Sequence, residues 1–170
     1  DFRLIKSRFL TAKYLQAKGK MKRSIIPLEK NIEIFNRNQG ATQSYELVSR
    51  AFLVRAYEES NQRDKATEHC IAIGNLTPWN ENQDPEPLYR VNPNYPLEQV
   101  KRGNSGWVKL AFTIDKNGFV TEPSAVDSNG SKSFIKESIK AIKQWRYAPK
   151  FENGHAVAVK STVQLDFKVG

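Results

Sequence analysis

Residues 157–169, VAVKSTVQLDFKV, alternate in polarity without a break. Val157, Val159, Ser161, Val163, Leu165, Phe167 and Val169 face one way; Ala158, Lys160, Thr162, Gln164, Asp166 and Lys168 face the other. A period of two marks a strand with one buried side, and a one-residue slip would turn the whole apolar set to water. The fold must therefore supply an apolar surface to one side of a long strand. The same period governs WVKLAFTID (107–115), where Val108, Leu110, Phe112 and Ile114 share a face. DKNG (115–118) predicts a hairpin turn, because Asn-Gly accepts positive φ at low cost. FVTEPSAV (119–126) is then the returning strand, and Pro123 places it at an edge or on a bulge.

Between these strands the period changes. SNGSKSFIKESIKAIKQW (128–145) predicts an amphipathic helix burying Phe134, Ile135, Ile139, Ala141, Ile142 and Trp145, with Lys132, Lys136, Lys140 and Lys143 outside. The order strand, strand, helix, strand packs most simply as one helix on a three-stranded antiparallel sheet. Such a sheet has two edges. A regular, proline-free last strand at one of them could accept another strand. Trp145 and Tyr147 close the helix, and Pro149 forces the chain to turn back. Trp145, Tyr147 and Phe167 are expected to form an aromatic cluster over the end of the sheet, with direct contact of Tyr147 to a partner as the alternative. Arg146 is expected at the surface or rim.

Residues 1 to about 78 carry helical spacing instead: Phe9, Ala12, Tyr14, Leu15 and Met21, then Ile25, Ile26, Leu28, Ile32 and Phe35. Gly19 separates two helices, NRNQG (36–40) closes the pair, and Pro27 is expected near the front of the second helix. In SRAFLVRAYEESNQRDKATEHCIAIGNLTP (49–78), Leu53, Tyr57, Ala66 and Pro78 stand at tetratricopeptide-repeat spacing, while Cys70 and Ile73 depart from it. NENQDPEPLYRVNPNYP (80–96) reads as an extended connector. The expected fold class is therefore α+β: tetratricopeptide-like helical hairpins in domain 1–84, then a small ββαβ domain in 85–170.

Catalytic chemistry has no home in this sequence. His69 and His155 lie in different domains, and the adjacent His69-Cys70 diverge by about 100° on a helix, so neither pair suits a metal. Glu58-Glu59 read as a solvated helix face, and no phosphate-binding glycine loop is present. No enzyme, cofactor or metal is expected. The single cysteine excludes an intrachain disulfide. The net charge of +9 suits an anionic partner, but no aromatic-basic base-reading motif accompanies it, so nucleic acid is not expected. A start at Asp1 rather than Met suggests an upstream segment that was removed, such as a signal or an anchor.

NPNYP (92–96), GNSGWVKLAFTIDKNGFV (103–120), AIKQWRYAP (141–149) and NG (153–154) together resemble the carboxy-terminal domain of TonB proteins, over residues 86–170. The resemblance implies a periplasmic energy-transducing adaptor of Gram-negative bacteria. It would grip the TonB box of an outer-membrane receptor as an added strand and support import of iron complexes or cobalamin. By position, Lys160, Ser161, Thr162, Val163, Gln164, Leu165, Asp166, Phe167 and Lys168 would receive the box, and Asn92, Pro93, Asn94, Tyr95 and Pro96 would lie nearby. The helices depart from the family pattern of a membrane anchor and a long proline-rich spacer. They leave open whether the second partner is an ExbB/ExbD-type inner-membrane complex or another periplasmic protein docked on the helices. The resemblance implies a periplasmic location in either case, with or without an anchor outside this chain. The competing reading is a periplasmic helical-repeat scaffold, or a protein that binds peptidoglycan through Lys136, Lys140 and Lys143 without energy coupling. An open edge also permits a strand-exchanged homodimer.

Overall fold

The computed structural model describes residues 1–38 and 43–170. The chain divides into two compact units, Asp1–Thr77 and Pro78–Gly170. That division falls seven residues before the change in composition at 84, because Trp79 packs against the core of the second unit and Glu81 pairs with Lys150 there at 2.8 Å.

The first unit consists of α1 (Phe2–Ala17), α2 (Met21–Arg37), α3 (Gln43–Glu59) and α4 (Arg63–Leu76). Each helix packs on the next in sequence, and α3 is sandwiched between α2 and α4. Asp1 caps α1 by accepting the Arg3 N–H at 2.9 Å, and Gly19 makes the turn to α2 at φ 73. Part of the NRNQG segment lies outside the described residues. Pro27 is not at the front of α2, as its helix-breaking character suggested, but seven residues in. The helix begins at Met21, so the missing proline N–H forgoes the bond to the Arg23 carbonyl. Leu53, Tyr57 and Ala66 are buried. Cys70 and Ile73 are buried too.

A polar network ties α2, α3 and α4 together. Arg50 Nη1 lies 3.0 Å from His69 Nδ1, and His69 Nε2 lies 3.2 Å from Glu29 Oε1. The Tyr57 hydroxyl donates to the same carboxylate oxygen at 2.5 Å, and Glu46 holds Arg50 at 2.9 Å. An arginine can only donate, so Nδ1 is the acceptor and the imidazole proton sits on Nε2, directed at Glu29. His69 is thus a buried structural histidine.

The second unit contains α5 (Leu97–Lys101), β1 (Gly106–Ile114), β2 (Val120–Asn129), α6 (Lys132–Ile142), β3 (Lys150–Glu152), β4 (His155–Val157) and β5 (Val159–Phe167). The main sheet has the order β2-β1-β5, antiparallel throughout, and β3-β4 form a separate hairpin. The α+β class and the three-stranded sheet are as expected. The short α5 lies just past the predicted connector. The long alternating run is split: Asn153 and Gly154, both at positive φ, turn β3 into β4, and the ladder to β1 begins only at Val159. The helix is shorter than its apolar pattern suggested. β2 continues to Asn129, and Ser131 caps α6 by accepting the Ser133 N–H at 3.2 Å. Gly106 is fixed by packing, since a Cβ there would sit 2.2 Å from the Asn129 carbonyl oxygen and 2.8 Å from the Phe134 ring.

Candidate functional site: an open sheet edge

β1 and β5 pair in unbroken register from Gly106↔Phe167 to Ile114↔Val159. Among the described residues β1 is the only neighbour of β5, so its other flank is open. In an antiparallel ladder every second residue aims its N–H and C=O away from its partner, which leaves about four or five residues of β5 ready to pair. The opposite edge is unsuited to this. β2 slips register twice against β1, carries Pro123, and holds Glu122 at φ 51. Bulges and proline are the means by which sheets block a free edge. One edge is closed by its own chemistry and the other is regular.

The side chains of β5 divide as the alternation demands. Leu165 and Phe167 are buried, Val159, Ser161 and Val163 are half-buried, and Lys160, Thr162, Gln164 and Asp166 are exposed. Gln164 Nε2 donates to Asp166 Oδ1 at 3.0 Å, which orders the exposed row. Lys168 lies just beyond the strand, and the Val169 N–H donates to Ser105 Oγ at 3.2 Å, pinning its end. Val159 to Thr162 flank an open cleft of about 620 Å³ lined also by Trp79, Glu81, Asp84 and Glu122.

The NPNYP segment is only partly beside β5. Tyr95 reaches it: its ring meets Phe134 and Phe167 edge-on at 5.6 Å each, and its hydroxyl donates to the Asn104 carbonyl. Asn92 and Asn94 instead line a small cleft against Glu137, Lys140, Ala141 and Gln144, on the α6 side. Pro96 stands at the N-cap of α5, preceding its first residue.

Trp145, Tyr147 and Phe167 all enter the core of this unit. Their ring pairings form two groups. Phe167 stacks on Phe134 at 4.4 Å, whereas Tyr147 lies against Phe112 at 5.8 Å and Trp145 at 6.5 Å. Burial pushes the Tyr147 hydroxyl well above the usual phenol range, with nearby Arg90 opposing this weakly. Trp145 Nε1 donates to the Val91 carbonyl at 2.7 Å, and the Arg90 guanidinium lies over its ring at 4.9 Å.

Arg146 is not at the rim but 0% exposed. Its guanidinium lies 3.8 Å from the Phe119 ring centroid and donates through Nη2 to the Asn117 carbonyl at 2.9 Å. Its backbone bridges Tyr89 on one side and Phe119 on the other, with the Arg146 N–H donating to Tyr89 O at 3.0 Å. Burial is tolerable because the charge meets a π face and a carbonyl rather than hydrocarbon. Trp-Arg-Tyr thus clamps the connector to the DKNG hairpin, and this clamp holds β1, and through it β5, in place. The sequence signal that could have shown this is Phe119 beside the Asn-Gly turn, which supplies an aromatic face for a cation.

Residues 91–169 match the family described as the Gram-negative bacterial TonB protein C-terminal. Protein TonB of Pseudomonas aeruginosa is 33% identical over 88 residues, covering 52% of this chain and 26% of that protein. Protein TonB of Vibrio cholerae is 30% identical over 80 residues, covering 47% of this chain and 33% of that protein. The chain therefore spans about a quarter to a third of the length of these relatives. Among solved structures, the tonb2 protein of Vibrio anguillarum is 39% identical, covering 55% of this chain and 90% of that one, with a TM-score of 0.41. The solution structure of the Pseudomonas aeruginosa TonB CTD is 33% identical, covering 52% and 89%, with a TM-score of 0.44.

Proposed function

Residues 91–169 belong to the TonB carboxy-terminal family, and from that premise we propose that β5 binds a short segment of an outer-membrane receptor as a fourth strand of the sheet. The family consists of non-enzymatic energy-transducing adaptors. In this reading the chain works in the periplasm, couples receptor to inner membrane, and supports import of iron complexes or cobalamin. The supporting observation is the contrast between the sheet edges: β2 is bulged and carries a proline, while β5 pairs in unbroken register and has one open flank.

The energetics favour a grip that releases. Each added backbone hydrogen bond contributes ~0.5–1.5 kcal/mol net. Ordering the incoming peptide costs ~1–2 kcal/mol per residue. These nearly cancel, so affinity comes from side chains meeting Val159, Ser161 and Val163 on one side and the exposed polar row on the other. Bonds across a strand pair also share load when the pull runs along the strands. No helix among the described residues is long and apolar enough to cross a membrane.

The test is a titration of isotope-labelled protein with a synthetic receptor segment. Amide shifts should concentrate in residues 159–167. A peptidoglycan preparation should leave those amides unmoved. Shifts centred on Lys136, Lys140 and Lys143 with glycan, and none in β5 with peptide, would replace this reading with the cell-wall one.

A further inference from the structure

The outward side of α1 has the form of a helix-docking site. Its inner side is filled: Ile5, Ala12 and Gln16 are buried, and Phe9 packs edge-on against Phe52 at 5.1 Å. Directly opposite lie Arg3, Lys6, Ser7, Leu10, Thr11 and Tyr14, all exposed, around a shallow cleft. Leu10 and Tyr14, one turn apart, are 51% and 62% exposed. The outward side of α1 thus combines two exposed apolar side chains with two cations and two small hydroxyl residues, and no described element packs over it.

The spacing of the six residues favours a helix as the occupant. Arg3, Lys6, Ser7 and Leu10 stand at i, i+3, i+4 and i+7, and so do Ser7, Leu10, Thr11 and Tyr14. Four residues in that pattern form the hole that receives a knob from a facing helix. Ser7 and Thr11 make a small-residue floor, and the Thr11 hydroxyl is turned inward to the Ser7 carbonyl at 3.0 Å. A lipid surface needs no such paired holes.

Charge defines the occupant's chemistry. From Phe2 to Leu28 the sequence has eight cations and no anion. Lys18 extends over the Tyr14 ring at 5.7 Å, adding its charge to the site. A second copy docked by the same face would oppose cation to cation. We propose that the outer face of α1 docks an acidic helix of a partner protein, with two small apolar knobs seated in the holes and carboxylates toward Arg3, Lys6 and Lys18. This proposal concerns the first unit and is independent of strand addition at β5.

The probe is a stapled helical peptide of about 20 residues with Ala and Leu at knob spacing and Glu flanks, compared with the same peptide bearing Lys flanks. Fluorescence anisotropy on the full chain should show at least tenfold tighter binding of the Glu peptide, weakening with salt. Thr11→Arg, which fills the second hole from an exposed position, should cost about tenfold or more with unchanged helicity and melting temperature. Arg3→Glu with Lys6→Glu should shift the preference to the Lys peptide. Equal binding of both peptides, or insensitivity to these variants, overturns the proposal. Two other results would also overturn it: binding to phosphatidylglycerol vesicles without peptide binding, and self-association in sedimentation abolished by Thr11→Arg.

Discussion

At the scale of single residues, Arg146 shows how far one side chain can be from its ordinary place. Its guanidinium is held by a ring face and a carbonyl, so both planarity and charge are used. Arg146→Ala should lower unfolding free energy by ~2–4 kcal/mol through lost cation–π, hydrogen-bond and packing contributions. Arg146→Lys should recover little of this, because an ammonium cannot stack. Urea unfolding followed by Trp fluorescence distinguishes these outcomes from a rim arginine, whose replacement would be nearly neutral. Glu29 makes a second residue-scale prediction. The hydrogen bond from His69 holds its carboxyl below the usual carboxylate range, against opposition from burial and with further help from the Tyr57 hydroxyl. A depressed folded-state value contributes stability above pH ~4.5 that is lost as pH falls through the folded value. Melting of the helical unit should therefore decline more steeply below that pH in the natural protein than in Glu29→Gln. Parallel acid profiles would refute the role given to this carboxylate.

Elements were legible in proportion to how local their causes are. The hairpin at 115–118 follows from Asp115, whose Oδ1 accepts the Asn117 and Phe119 N–H groups at 2.9 Å each, and from Gly118 at φ 83. Only the glycine of that Asn-Gly pair needs positive φ, so the turn differs in detail from the expected one. Pro123 lies in an edge strand that also bulges, joining both readings that its presence allowed. α6 starts four residues later than its apolar pattern predicts because Ser128 and Asn129 extend β2 through pairs with Val108 and Trp107, which no local pattern encodes. The expected partner strand was legible as alternation; its open flank was not. Proline scanning of β5 tests that flank. Adjacent residues aim their N–H groups to opposite sides, so one of Val163→Pro and Gln164→Pro should unfold the sheet edge, and the other should spare the fold while abolishing peptide binding. Circular dichroism and peptide titration read the two effects. Loss of fold in both would mean that β5 has no free side.

For the whole molecule the question is where one unit stops. Composition suggests residue 84, whereas contacts place the division after Thr77. A fragment of residues 78–170 should melt cooperatively and keep the edge strand's peptide binding. Starting at 85 removes Trp79 from the core and Glu81 from Lys150, and should cost ~1–3 kcal/mol, mostly from lost apolar burial. Equal stability of the two fragments would show that the 78–84 segment contributes nothing.

By itself the sequence determined the periods, the turns and the apolar faces, because helix and strand geometry act over a few residues and leave their spacing in the chain. It also carried the family motif, whose Gly106, Trp145 and Tyr147 turn out to be packing necessities: no room for a Cβ in the first case, and core rings in the others. Three features were decided only by tertiary structure: the burial of Arg146 against Phe119, the sharing of the NPNYP segment between β5 and α6, and the open flank of β5. Each depends on which distant segments come to lie side by side, and that is fixed by the packing of the whole unit rather than by any stretch of chain within it.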